Sequence, residues 1–337
     1  MLNVAYIGCG RAVTEYHLPY LVNRPNFNVK WIYRRQEDRD ENMEVEGVYP
    51  EFKFTSDIED LTNDNDLHLV VICSPNPSHK DYAVQFLNSG KHVLVEKPFT
   101  LNVEDTKEVL ALAKEKGLIA MSNQNRRYDG DMRTVKKIID SGILGDIVDI
   151  ESHYNYFRPN APSNGIGFFA GLTIHPLDQI IYLFGTPDKM DYDVRSINGP
   201  GQADDYVDLF LYYGKTKVRV KTFLYSKLKY PRFIVHGSKG SFLKPAKPNQ
   251  SSMKHELPFI VDFLPEPEEY WGTLSYIDDD GNDITEKVET EITDYGILYD
   301  NLYEAIHNGA KKLISDEEII EVMSMVVKGQ KVALSAK

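Results

Sequence analysis

Val4-Ala5-Tyr6-Ile7-Gly8-Cys9-Gly10-Arg11-Ala12-Val13 is a short apolar run that ends in two glycines one residue apart and opens into an amphipathic stretch containing Leu18 and Leu21. A strand that feeds a glycine turn and then a helix suits a dinucleotide pyrophosphate. The first glycine permits the tight turn, the second lets the backbone approach the phosphates, and the N–H groups at the helix start hold them. Val13 stands where a third glycine is usual, so strand and helix are expected to sit slightly further apart there. The motif assigns Gly8, Gly10, Arg11 and Ala12 to cofactor binding, provided that strands and helices alternate around it.

They do alternate. Apolar, partly β-branched runs at Val4 to Ile7, Val29 to Tyr33, Leu67 to Cys73, His92 to Val95 and Leu118 to Met121 are separated by helix-like stretches such as Tyr82 to Ser89 and Val103 to Lys116, closed by Gly90 and Gly117. Strand and helix in alternation predict a doubly wound parallel sheet of Rossmann type over residues 1–121. Beyond it, one helical stretch from Thr134 to Ser141 is followed by longer runs at Ile147 to Tyr156, Tyr206 to Tyr213, Lys217 to Tyr225 and Phe233 to His236. Successive strands with few helices between them predict an α+β domain over residues 122–337 with a large, mainly antiparallel sheet. The segment from Lys244 to Glu289, rich in Pro, Asp, Glu and Gly, reads as surface loops and a hairpin, and two helices near Gly296 to His307 and Asp316 to Lys328 close the chain.

With 337 residues, two domains are the natural expectation. The 51 acids against 38 bases leave a formal charge of −13, which repels nucleic-acid phosphates and anionic lipid headgroups, so neither is an expected partner. Without a basic leader or an apolar run of membrane-spanning length, the cytoplasm is the expected location. Cys9 and Cys73 end apolar strands, where a thiol usually behaves as a small buried hydrophobe.

Two loops carry candidate chemistry at the carboxyl edge of the predicted parallel sheet, where open α/β sheets bind ligands. One is Ser74-Pro75-Asn76-Pro77-Ser78-His79, in which Ser74, Pro75, Asn76 and His79 are cofactor-contact candidates and helix capping is a comparable reading. The other is Glu96-Lys97-Pro98, whose lysine enters the crevice and whose Glu96 lies beside the cofactor. The second strand ends in Arg34-Arg35 rather than in an acid that would grip ribose hydroxyls. Guanidinium forks suit a 2′-phosphate, so NADP is expected ahead of NAD. In the second half, His175 and Asp178 stand three apart and share a face if helical. Arg127, Tyr156, Arg158 and Asp178 are weak substrate-wall candidates for which packing is an equal reading. No metal is expected, because His175 and Asp178 have no further ligand cluster nearby in sequence.

The glycine turn, P-N-x-x-H at Pro75 to His79, E-K-P at Glu96 to Pro98, H-x-x-D at His175 to Asp178 and G-S-K-G-S at Gly237 to Ser241 together resemble the Gfo/Idh/MocA family of oxidoreductases, in order along essentially the whole chain. Similar chains with arginines matching Arg34 and Arg35 occur in bacterial members whose substrate is not established. The resemblance implies a Rossmann domain followed by a large, mainly antiparallel sheet through which homodimers or homotetramers form. It also implies hydride transfer between a nicotinamide cofactor and a sugar, polyol or related hydroxy or keto compound. Lys97 then orients the substrate oxygen, His175 exchanges the proton, and the Lys97–Pro98 bond is cis. The family's fuller pattern is D-x-G-x-H-x-x-D, and this chain has Gly171 for the first Asp and Thr173 for the Gly, so one catalytic carboxylate is missing. Two readings stay open: a dehydrogenase or reductase acting on CH–OH groups, or a cofactor-binding regulator of the same fold that has lost turnover.

Overall fold

The computed structural model describes residues 1–22, 24–39, 44–159, 166–199, 202–247 and 263–335. Two compact units divide them. The first takes residues 1–125 and 294–323 with Phe263, and the second takes 126–247, 264–293 and 324–335. The units are discontinuous, whereas a division at 121/122 treats the chain as two consecutive halves. The closing segment from Asp294 returns to the first unit because Arg24 pairs there with Asp294 at 2.9 Å and Asp300 at 2.9 Å, and Tyr299 reaches the buried Tyr6.

The first unit is built on a parallel sheet of six strands: β1 (Leu2–Ile7), β2 (Phe27–Tyr33), β3 (Lys53–Thr55), β4 (Leu69–Ile72), β5 (His92–Val95) and β6 (Ala120–Ser122), in the order β3-β2-β1-β4-β5-β6. The order reverses between β1 and β4, and a crevice opens at the carboxyl ends of strands at such a point. All of β4 and most of β1 and β5 are buried, as expected of strands covered on both faces. The helices His79–Asn88 and Val103–Glu115 lie against each other and beside β4, β5 and β6. Asn102 caps the second of them by accepting the Asp105 N–H at 2.8 Å.

The second unit holds an eight-stranded sheet: β7 (Ile147–His153), β8 (Lys189–Arg195), β9 (Tyr206–Tyr213), β10 (Thr216–Phe223), β11 (Pro231–Gly237), β12 (Gly240–Pro245), β13 (Gly272–Ile277) and β14 (Asp283–Val288). The order is β14-β13-β12-β11-β7-β10-β9-β8, antiparallel throughout except where β10 runs parallel to β7. Its strands alternate. Val218, Val220 and Thr222 of β10 are buried under the helix Ile174–Phe184, while Lys217, Arg219 and Lys221 point to the other face. One-sided burial of this kind is why period-2 patterning survives in the sequence.

The fold class is thus the one expected, with differences in detail. β3, β8 and most of β12 fall outside the expected strands. β8 carries Lys189, Asp191, Asp193 and Arg195 at alternate positions on a sheet edge, where charge prevents further pairing and also hides the strand. Of the stretch expected as surface loops and a hairpin, Lys244 and Pro245 end β12, the hairpin is β13–β14 turning at Asp278, and residues 248–262 lie outside the described residues. The helix expected from Thr134 begins at Gly130, where a Cβ would collide with the Glu291 carbonyl.

Candidate functional site

β1 delivers the chain to Gly8, whose φ of +100° only glycine adopts readily and whose Cβ would stand 3.1 Å from the Cys73 carbonyl oxygen. Among the described residues, nothing beyond its own chain neighbours lies within 4 Å of a Cβ built on Gly10, so the backbone there fronts open space. The first helical bond runs from Thr14 N–H to the Gly10 carbonyl at 3.1 Å, which leaves the amides of Arg11, Ala12 and Val13 at the helix start, where an anion is best held. Open space at Gly10 beside those amides fits a pyrophosphate. Val13 is fully buried in the core. Arg11 is exposed and pairs with Glu15 at 2.7 Å. Burial pushes the Cys9 thiol up to about 11 and raises Cys73 as well, which disfavours the reactive thiolate at both positions.

At the end of β2, Arg34 donates to the Asp38 carbonyl and lies near the Cys9 thiol. Arg35 is exposed and pairs with Glu37 at 3.0 Å and Asp38 at 2.8 Å. Both guanidinium groups therefore stand at the tip of β2, held by local partners.

The two loops after β4 and β5 are tied together. His79 is fully buried and its ring nitrogens face the Pro98 and Ser74 carbonyls at 2.9 Å each. Expected as a cofactor contact, it lies between the two loops with both ring nitrogens towards these carbonyls, one of which receives the single N–H of the neutral ring that burial favours. Ser74 receives a hydrogen bond from Ser78 at 2.8 Å, while Pro75 and Asn76 lead into a short 3-10 turn ahead of the helix. The Lys97–Pro98 peptide is cis.

Glu96 is the most heavily bonded member of this group. Its Oε1 faces His17 Nε2 at 2.8 Å and accepts from Asn123 Nδ2 at 2.5 Å, and its Oε2 accepts the Lys97 N–H at 3.1 Å. Burial alone would raise its pKa, yet the His17 contact, the charge of Lys97 and the Asn123 amide hold the carboxyl at about 2. His17 and Asn123 are absent from the motifs. His17 had a signal, since it lies four residues after Val13 on the buried face of an amphipathic helix; Asn123 had none.

In the second unit, His175 sits in the first turn of the helix Ile174–Phe184, almost fully buried. Asp178, one turn on, was expected at the substrate wall. Both of its oxygens instead receive Arg127 N–H groups at 2.7 Å, and both side chains are out of solvent. The pairing follows from burial: neither charge tolerates an apolar interior without a partner. Arg127, also expected at that wall, lies over the Tyr182 ring at 4.9 Å. Tyr156 and Arg158 continue β7 beside the end of β10, and Arg158 stacks on Tyr156 at 5.5 Å with its guanidinium exposed. Asp204 accepts the Phe169 N–H at 2.6 Å, which secures the stretch leading to His175. A Cβ on Gly167 would collide with that carboxylate.

Each unit carries its histidine at a widened turn. Val13–His17 is a π-helical turn containing His17, and Phe169–Thr173 is another that ends two residues before His175. Such turns insert one residue into a helix and recur at functional sites. Among the described residues, no group of three or more His, Cys, Asp or Glu side chains is arranged to hold a metal ion, and no helix is long and apolar enough to cross a membrane.

The family model described as oxidoreductase family, NAD-binding Rossmann fold (GFO_IDH_MocA) matches residues 2–124, and the companion C-terminal alpha/beta domain matches residues 136–333. The chain is 42% identical over 340 residues to the uncharacterized oxidoreductase YhhX of Escherichia coli, covering 98% of this chain and 96% of that protein. It is 27% identical over 345 residues to scyllo-inositol 2-dehydrogenase (NADP+) IolW of Bacillus subtilis, covering 96% and 92%. Among solved structures, an oxidoreductase from Bacillus cereus superposes with a TM-score of 0.90 at 39% identity, covering 100% of this chain and 97% of that one.

Proposed function

The chain belongs to the Gfo/Idh/MocA oxidoreductase family with its NAD-binding Rossmann domain, and from that premise we propose that it is an NADP-dependent dehydrogenase or reductase. Its substrate is a CH–OH carbon of a small sugar, polyol or related hydroxy or keto compound, and it acts in the cytoplasm. The observation that carries the reading is the Glu96-Lys97-Pro98 turn, fixed at the carboxyl end of β5 in the same unit as the open turn at Gly10. When bound, the nicotinamide ring accepts or returns the hydride. Lys97 supplies an ammonium to the substrate oxygen and stabilises the negative charge that grows there as the hydroxyl proton leaves. His175 takes that proton as general base, and returns it in the reducing direction.

Arg34 and Arg35 support NADP, as do the relatives IolW and IolU, the latter another scyllo-inositol 2-dehydrogenase (NADP+) of Bacillus subtilis at 26% identity over 198 residues. The exposed pairs of Arg35 with Glu37 and Asp38 are weak enough for a 2′-phosphate to displace them. A homodimer or homotetramer through the eight-stranded sheet belongs to the same proposal, supported by the row of Phe210, Arg219 and Lys221 on the face away from the helix. Light scattering that finds a monomer refutes that part.

The test is absorbance at the reduced-nicotinamide band with NADP or NAD against inositols, aldoses and ketoses. We expect turnover with NADP, lost by at least about a hundredfold in Lys97→Ala and His175→Ala while cofactor affinity is kept. Equal affinity for the two cofactors removes the NADP preference. The second reading, a regulator without turnover, is favoured by Gly171, which supplies no carboxylate where the family pattern has its first Asp. Cofactor binding without turnover on any of these substrates would establish it.

A further inference from the structure

His17 lies in none of the recognised motifs, yet it is fully buried and both of its ring nitrogens are engaged within the first unit. Nε2 faces Glu96 at 2.8 Å, and Nδ1 faces the Tyr299 hydroxyl at 2.5 Å. The Tyr299 hydroxyl in turn meets that of Tyr6 at 3.2 Å. Asn123 Nδ2 lies 3.2 Å from Nε2 as well, but its shorter contact is to Glu96 Oε1 at 2.5 Å. With Asn123 donating to the carboxylate, one arrangement places the hydrogens along the line from Tyr6. Tyr6 O–H donates to the Tyr299 oxygen, Tyr299 O–H donates to Nδ1, and Nε2–H donates to the Glu96 carboxylate. The opposite direction would turn the Tyr6 O–H away from Tyr299, its one hydrogen-bonding partner among the described residues, inside a fully buried site. Burial pushes both phenols up, so neither ionises to complicate the chain.

The line therefore ends on Glu96, and the other Glu96 oxygen accepts the Lys97 N–H at 3.1 Å. On the far side of the same turn, His79 Nδ1 lies 2.9 Å from the Pro98 carbonyl oxygen. We propose that His17, oriented by Tyr299 and Tyr6, is a positioning residue for Lys97: it fixes the Glu96 carboxylate, and the carboxylate fixes the backbone from which the lysine extends. The proposal deepens the reading of Lys97 as the group at the substrate oxygen and rests on it. Tyr299 reaches His17 from the helix Gly296–Asn308, so the end of the chain takes part in setting the turn.

Two measurements test this. In the first, two-dimensional NMR of the ¹⁵N-labelled histidine rings, with His17 assigned by its loss in His17→Gln, reads the tautomer directly. The proton on Nε2, shifting to a mixture of tautomers in Tyr299→Phe, is the expected result; a proton on Nδ1 in the native protein overturns the proposal. In the second, kinetics are measured on the full chain with whichever substrate the screen yields. His17→Ala lowers kcat by about a hundredfold with cofactor affinity unchanged, as expected when a reacting group is displaced by a fraction of an ångström. His17→Gln, whose amide occupies the Nε2 position and still donates to Glu96, restores kcat to within about tenfold of native. A merely structural role would lower the melting temperature in both variants without that recovery, and kcat within threefold of native in His17→Ala overturns the proposal. If His17→Ala does not fold, His17→Gln and Tyr299→Phe carry the kinetic test. Failure of the Lys97 reading is separate: full turnover in Lys97→Ala refutes that reading whatever the His17 variants do, and the tautomer measurement decides the orientation without a substrate.

Discussion

Glu96 in the first unit and Asp204 in the second are both carboxylic acids withdrawn from water, and they titrate in opposite directions. Glu96 is held at about 2, whereas Asp204 is pushed up to about 6. Burial acts on both in the same sense, so the difference lies in what faces them. Glu96 meets an imidazole, a side-chain amide, a backbone N–H and the Lys97 charge. Asp204 has the backbone N–H groups of Phe169, Phe168 and its own residue, with the charge of Asp205 alongside and, among the described residues, no cation acting on it. Backbone donors reach both acids, and the difference follows the cation: Glu96 has one beside it, and Asp204 has another acid. Asp178 is the limiting case, with a guanidinium fork across both oxygens.

Three measurements break or sharpen this contrast. The largest effect is expected from Asp178→Ala, which leaves the Arg127 guanidinium buried without its carboxylate and should lower stability by about 3–5 kcal/mol in urea unfolding. A loss below about 1 kcal/mol would mean that the guanidinium finds other anions or water. Next is Glu96. Its folded pKa lies below the ordinary value, so its contribution is complete above about pH 4.5 and disappears as the pH falls towards 2. Glu96→Gln should remove about 2–3 kcal/mol at pH 7 and flatten that acid limb. The smallest effect is at Asp204, whose folded pKa is raised. The folded protein then binds more protons than the unfolded chain between about pH 4 and 6, and stability falls as pH rises through that window. Asp204→Asn should erase a decline of about 1–2 kcal/mol between those pH values. An unchanged slope would show that Asp204 is solvated after all.

Much of the scaffold could be read in the sequence because burial writes itself into pattern. The run His92 to Val95 and the alternating run Tyr206 to Tyr213 have the bounds that the structure gives β5 and β9. The charged edge strand β8 could not, since its alternation is in polarity of charge more than in apolarity. In the site, local chemistry was legible and long-range pairing was not. Glycines at Gly8 and Gly10 announce a turn through their own backbone freedom. That the His79 ring nitrogens face inward to carbonyls, or that Asp178 faces Arg127 across 51 residues, depends on side chains brought together only by the fold. The π-helical turns were equally silent, because one inserted residue barely disturbs an apolar stripe.

Tyr299 follows its partner His17 by 282 residues. During synthesis the parallel sheet leaves the ribosome first, but the phenol that completes the line to Glu96 is translated only after every strand of the second sheet. The turn that presents the lysine is consequently finished late, at a moment when the other unit has all its strands to fold with. A nascent chain stalled before residue 294 would carry the glycine turn without its settled neighbour.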